Sequence, residues 1–222
     1  MHNPKITALI PAAGSGSRLS LGPKAWLMIN ERPLLVWVVQ KLLRVVDKVI
    51  VAVSEQDCER ATEVLAHYAL TAQVIAGGAT RQATVAKLVA SATTEFVLIH
   101  DVARPLVSGK LLTEVIEMAY LTGGAAAFVA PEVPVAKITG GWVVDYFNAE
   151  DVGIFQAPQA FSRLQLLKAI ESAERESHSR QSTAQLWLDA NFALHAVPGE
   201  KTNFKLTTQE DWLIMQALQG LL

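Results

Sequence analysis

The chain has 222 residues, 51% of them hydrophobic and 18% charged, with a formal net charge of −2. That length can bury a core that needs no staples. The charge leaves no basic footprint for nucleic acid, and a single cysteine, Cys58, excludes a disulfide framework or a cysteine-rich metal site. No signal-peptide pattern follows Met1 and no apolar run reaches about 18 residues. The expectation is one cytoplasmic domain over 1–222 that neither crosses a membrane nor binds nucleic acid, with Cys58 buried or half-buried on a helix.

The first apolar run, Ile6–Ile10, reads as a strand. It feeds a loop of small residues: Pro11, Ala12, Ala13, Gly14, Ser15 and Gly16. Arg18 follows, then Pro23-Lys24. Such a loop lets phosphate approach the backbone. Ala12 and Ala13 keep the surface low, and Gly14 and Gly16 can take positive φ and present N–H groups. Arg18 offers a bidentate fork and Lys24 a compact charge. The dinucleotide fingerprint fails, because the sixth position from Gly14 is Leu19. The Gly-Lys-Ser/Thr phosphate loop fails too, because Lys24 lies between Pro23 and Ala25. A nucleotidyltransferase signature, Ala-Ala-Gly-x-Gly-x-Arg then Pro-Lys, stays open beside an ordinary strand-to-helix turn.

Apolar residues at helical spacing run from Pro33 to Val46, with Pro33 suited to a first helical position. A strand over Lys48–Val53 leads to Ser54 as an N-cap and a helix from Glu55 to Leu70. The strand Gln73–Ala76 ends at Gly77-Gly78, where backbone can approach a base edge. Thr84 is placed to bond that base and Arg81 to orient the loop, within a helix over Thr80–Ser91. A plain turn is the alternative there. Phe96–His100 is the next strand. Asp101 closes it, where a carboxylate can hold Mg²⁺ against a triphosphate or cap a turn. Arg104-Pro105 favours a shaped functional loop, and a lone His100 reads as a structural hydrogen-bonding residue. A helix over Gly109–Leu121 and a strand over Ala125–Ala130 complete the alternation. These runs are nearly all apolar, as in strands covered on both faces. The fold class is α/β, a mostly parallel Rossmann-like sheet flanked by helices, with ligands beyond the carboxyl ends of the strands.

After Ala130 the alternation breaks. Lys137–Phe147 reads as a hairpin turning at Gly140-Gly141. A lone hairpin is marginal in water, and Trp142, Tyr146 and Phe147 need a surface. The reading is an arm at about 132–152 that packs on another subunit or folds over the site; pairing with the main sheet is the alternative. A helix spans Ser162 to about Arg175, a polar stretch runs to Ser182, and a short helix covers Thr183–Asp189. Phe192–Val197 reads as a strand. Lys205 lies in a polar loop, able to neutralise a phosphate or to be a surface lysine. Thr207–Asp211 is a capping-box-like entry to a last helix.

With these residues in view, the chain resembles the 2-C-methyl-D-erythritol 4-phosphate cytidylyltransferase family, and more loosely the alditol-phosphate cytidylyltransferases. The opening loop carries the likeness together with Gly77-Gly-Ala-Thr-Arg81, His100-Asp-Val-Ala-Arg-Pro105, Gln156-Ala-Pro-Gln-Ala-Phe161, which looks like a family turn, and Asn203-Phe-Lys-Leu-Thr207. The resemblance implies transfer of CMP from CTP to a phosphorylated polyol, with Mg²⁺, in isoprenoid precursor synthesis, by a homodimer joined through the arm. It implies Arg18, Lys24 and Lys205 as catalytic cations and Asp101 as the metal carboxylate. Pro11 to Gly16, Gly77, Gly78, Arg81 and Thr84 would enclose the nucleotide. The departures cluster. The family's threonine and arginine for the acceptor phosphate fall on Val135 and Ala149, its acid before Asn-Ile-Lys on Thr202, and its acidic pair on Ser182 and Thr183. The nucleotide half looks intact and the acceptor half rebuilt.

Overall fold

A computed structural model describes residues 5–16, 19 and 21–222. In chain order the elements are β1 (Ile6–Pro11), β2 (Met28–Ile29), β3 (Arg32–Pro33), α1 (Leu34–Leu42), β4 (Lys48–Val53), α2 (Cys58–His67), β5 (Gln73–Ala76), α3 (Arg81–Ser91) and β6 (Phe96–Ile99). Then come α4 (Gly109–Thr122), β7 (Gly124–Val129), β8 (Val135–Thr139), β9 (Trp142–Phe147), β10 (Ile154–Ser162), α5 (Arg163–Arg175), α6 (Thr183–Asp189), β11 (His195–Pro198) and α7 (Gln209–Ala217).

The main sheet has seven strands in the order β11-β7-β10-β6-β1-β4-β5. All pairings are parallel except those of β10, which runs against both neighbours. Alternate residues serve opposite faces. Ile6, Ala8 and Ile10 pack toward α1, α2 and α4, while Leu9, Val97 and Ile99 pack toward α3, α5 and α6. A sheet covered on both faces explains why its strands read as continuous apolar runs.

Three expectations change. The segment Gln156–Phe161 is not a turn: it lies within β10, between β6 and β7. Proline cannot donate to a ladder, which argues against a central strand. The chain accommodates Pro158, after a cis Ala157–Pro158 peptide, because the register with β7 shifts between Phe155 and Gln159. Pro33 is not the first helical residue. Its ψ of 147° is extended, it pairs with Met28 in β3, and α1 begins one residue later. The late strand starts at His195, after Phe192 has packed on Trp187.

The arm is a sheet of its own, β8 with β9. Gly140 (φ +56°) and Gly141 (φ +85°) supply the two positive φ angles of a tight hairpin turn. Every residue of both strands is exposed, Trp142 to 78%. Cys58 is half-buried and opens α2. At the other end, Thr208 and Asp211 form the capping box that starts α7.

Candidate active site

A cavity of about 320 Å³ opens beyond the carboxyl ends of β1, β5 and β6. Its floor is the loop after β1, where Pro11, Ala12, Ala13, Gly14, Ser15 and Gly16 all line the wall. Ala12 is tied back to β4 through its N–H on the Ala52 carbonyl, 2.7 Å. Gly16 has φ +71°, and a Cβ there would collide with the Gly22 carbonyl. Gly14 does not use positive φ, contrary to expectation. Lys24 also lines the cavity. It opens a short 3₁₀ turn over Lys24–Trp26, and the Arg60 guanidinium lies 4.1 Å from the Trp26 ring centroid, holding that turn from behind. Arg18 lies outside the described residues.

The opposite wall is the start of α3. Gly78, Ala79, Thr80, Arg81 and Thr84 line it. Thr80 caps the helix by accepting from the Ala83 N–H. Thr84 lines the cavity, and its hydroxyl also ties the loop: it accepts from the Gly78 N–H (3.0 Å) and donates to the Thr80 carbonyl (2.9 Å), which commits its proton and leaves one lone pair. Gly77 is not among the residues that line the cavity and stands behind Gly78. Its N–H donates to the Val53 carbonyl and its carbonyl accepts from Lys87 Nζ. A Cβ on Gly77 would sit 2.5 Å from the Ala13 Cβ, so the residue is small because two loops meet there.

Asp101 stands at the deep end, 8% exposed. Oδ1 accepts from Arg81 Nη2 at 3.0 Å and Oδ2 from Lys205 Nζ at 2.8 Å. Arg104 Nε lies 3.9 Å from Oδ2. Burial alone would raise the Asp101 pKa. The Arg81 guanidinium and Lys205 ammonium overcome it and hold the carboxyl well below the usual carboxylate range. Arg81 and Lys205 on the wall, with the buried Arg104 behind them, outnumber the one carboxylate and leave a net positive cluster suited to a polyphosphate. Asp101 is the sole carboxylate on the described wall, and the described residues include no group of three His, Cys, Asp or Glu able to hold a metal.

Behind this cluster lies a buried frame. His100 is fully buried, and its ring Nε2 is 3.0 Å from the Arg104 carbonyl. Burial pushes the His100 pKa down to about 4, so the ring is neutral near pH 7. Asn203, also fully buried, donates to the Ala157 carbonyl at 2.7 Å. Val102 and Ala103 on the wall, and Asn203 behind it, lie inside motifs the sequence shows but carry no role assigned from it. They are small or buried residues flanking the chemical ones. Position just after a strand end is the signal that finds most of them.

The 2-C-methyl-D-erythritol 4-phosphate cytidylyltransferase (IspD) family model matches residues 6–220. The chain belongs to this family. The cytidylyltransferase of that name from Deinococcus radiodurans is 34% identical over 219 residues, covering 98% of this chain and 91% of that protein. The one from Thermus thermophilus is 33% identical, covering 96% and 97%. The crystal structure of the Thermus thermophilus enzyme superposes with a TM-score of 0.81 at 32% identity, over 97% of this chain and 99% of that one. The 4-diphosphocytidyl-2C-methyl-D-erythritol synthase structure from Anaerococcus prevotii gives 0.87 at 25% identity, over 99% and 100%. Membership makes this chain a nucleotidyltransferase of the cytidylyltransferase type with a Rossmann-like sheet. No helix among the described residues is long and apolar enough to cross a membrane.

Proposed function

We propose that residues 1–222 act as one cytoplasmic cytidylyltransferase domain that joins CTP to 2-C-methyl-D-erythritol 4-phosphate and releases pyrophosphate. The convergence of Lys24, Arg81, Asp101 and Lys205 on one cavity at the strand ends carries this reading. The acceptor phosphate oxygen attacks the α-phosphorus of CTP. The bond to the bridging oxygen breaks, and pyrophosphate leaves with the electron pair. The acceptor is already an anion, so no strong base is required. Catalysis is positioning plus stabilisation of developing charge. Lys24, with Arg18 six residues before it in sequence, takes the leaving phosphates. Lys205 faces the α-phosphate, oriented by Asp101. The small residues Pro11 to Gly16 and Gly78 to Thr84 enclose ribose and base.

A divalent ion fits this site only together with the nucleotide. Asp101 gives one carboxylate, and both its oxygens already accept from cations. Mg²⁺ commonly takes one protein carboxylate plus phosphates and water. Asp101 would hold Mg²⁺, which supplies neutralisation of phosphate charge. CTP binding should then require Mg²⁺ and weaken in Asp101→Asn; equal affinity with and without chelator in both proteins would remove the ion from this carboxylate.

The arm supports a homodimer. Trp142, Val143 and Tyr146 are 78%, 68% and 69% exposed on a sheet that no main-sheet strand extends. Sedimentation at micromolar concentration should give a dimer, and Trp142→Ser should weaken it. A monomeric unaltered protein would refute this assembly. Val135, Ala149 and Thr202 favour a second reading, a nucleotide-binding relative with little turnover. Incubation with CTP, Mg²⁺ and a panel of polyol and sugar phosphates separates the two. Pyrophosphate release supports the enzyme; CTP binding without release from any acceptor supports the second reading.

A further inference from the structure

We propose that His100, which lines no part of the cavity, is the positioning residue that sets Lys205 for the reaction. The inference rests on the assignment of Lys205 to the α-phosphate. His100 follows β6 directly, its backbone N–H donating to the Leu9 carbonyl at 3.0 Å. Its Nε2 contacts the Arg104 carbonyl, which can only accept, so Nε2 carries the proton. That bond closes the loop 100–104 from below, while the Arg104 N–H on the Asp101 carbonyl (3.0 Å) closes it along the backbone.

The closed loop holds two groups that grip the chain around Lys205. Arg104 Nη1 donates to the Asn203 carbonyl at 2.6 Å, two residues before the lysine. The Ala103 carbonyl accepts from the Leu206 N–H at 2.9 Å, one residue after it. Between these two grips, Lys205 Nζ reaches Asp101 Oδ2. The ring does more than fill space. Its Nδ1 is buried without a partner among the described residues. An orphan acceptor is a standing cost that an apolar side chain of similar volume would avoid. The histidine is kept for the bond Nε2 makes.

The test compares His100→Leu, which leaves the Arg104 carbonyl bare, with His100→Gln, whose amide N–H reaches about where Nε2–H stood. The readouts are kcat and KM for CTP, and acylation of Lys205 by an amine reagent mapped by mass spectrometry. In His100→Leu, kcat should fall at least about tenfold with KM for CTP within about threefold. Lys205 acylation should rise at least about threefold as the amine leaves Asp101, and His100→Gln should restore both values to within about threefold of the unaltered protein. Adding His100→Leu to Arg104→Met should cost no further activity, because both act along one route. If the leucine variant does not fold, His100→Asn, too short to reach the carbonyl, replaces it. Equal kcat and equal labelling in the bond-breaking and glutamine variants, both intact or both reduced, would overturn the proposal. An unaltered protein that releases no pyrophosphate would refute only the functional reading, and Lys205 labelling would still decide the role of His100.

Discussion

Around Asp101, charged side chains meet within 4 Å: Arg81 at 3.0 Å, Lys205 at 2.8 Å and Arg104 at 3.9 Å. Along β8 and β9, every residue is exposed, and Trp142, Tyr146 and Ile138 show 78%, 69% and 65% of their surface. The charges of the proposed nucleotide side find their partners within the chain, whereas the side chains of the arm face solvent. Buried charge is tolerated where each group has a partner, whereas exposed apolar surface on a hairpin calls for an external one.

The largest expected effect tests the finished side. Lys205→Met should lower kcat/KM by about 10²–10³-fold, the cost of removing one donor aimed at developing charge. Steady-state pyrophosphate release measures it, and a loss under tenfold would place the α-phosphate elsewhere. Next comes the arm. Val135 and Ala149 stand where the family resemblance implies a threonine and an arginine for the acceptor phosphate, and neither can donate. Turnover of 2-C-methyl-D-erythritol 4-phosphate should trail a typical family member by about a hundredfold, about 2.7 kcal/mol, and Val135→Thr with Ala149→Arg together should recover part of it. Efficient turnover by the unaltered protein would show that another cation grips that phosphate.

A third effect separates the buried frame from the rest of the fold. His100 has a folded pKa of about 4 against an ordinary 6.5. Between those values the unfolded chain takes up a proton that the folded chain refuses. The ring's contribution to stability is therefore complete above pH 6.5 and is lost as pH falls toward 4. Urea unfolding should show about 2 kcal/mol less stability at pH 4.5 than at pH 7 from this group alone, a slope missing in His100→Gln. Identical pH slopes would refute the assignment. The smallest effect returns to the opening loop. Arg18→Ala or Lys24→Ala should weaken CTP binding at least tenfold, about 1.4 kcal/mol, and unchanged titrations for both would remove the loop from the site.

Much of the nucleotide side is legible in the sequence because its determinants are local. A buried strand followed by small residues and a cation is visible in a short window, and the runs Ile6–Ile10 and Phe96–His100 mark their own ends. What stays hidden depends on distant partners. Thr84 gives no local sign that its hydroxyl also ties Gly78 to Thr80. Asn203 carries no local sign that it braces Ala157, forty-six residues away. The segment of β10 around Pro158 is taken as a turn only from the family resemblance, and the register with β7 shows where its proline is accommodated within a strand. The hairpin turn is readable from Gly140-Gly141, but no residue in the arm states what will cover it.

The contact between Gly77 and Ala13 has a consequence for how this sequence can change. Any side chain on Gly77 would place its Cβ 2.5 Å from the Ala13 Cβ. The post-β1 loop and the post-β5 loop, far apart along the chain, are thus fitted as one piece. A side chain at position 77 is therefore filtered by what stands at position 13. Variation at these two positions should enter as a pair, and a library that randomises position 77 with Ala13 frozen should return few folded variants.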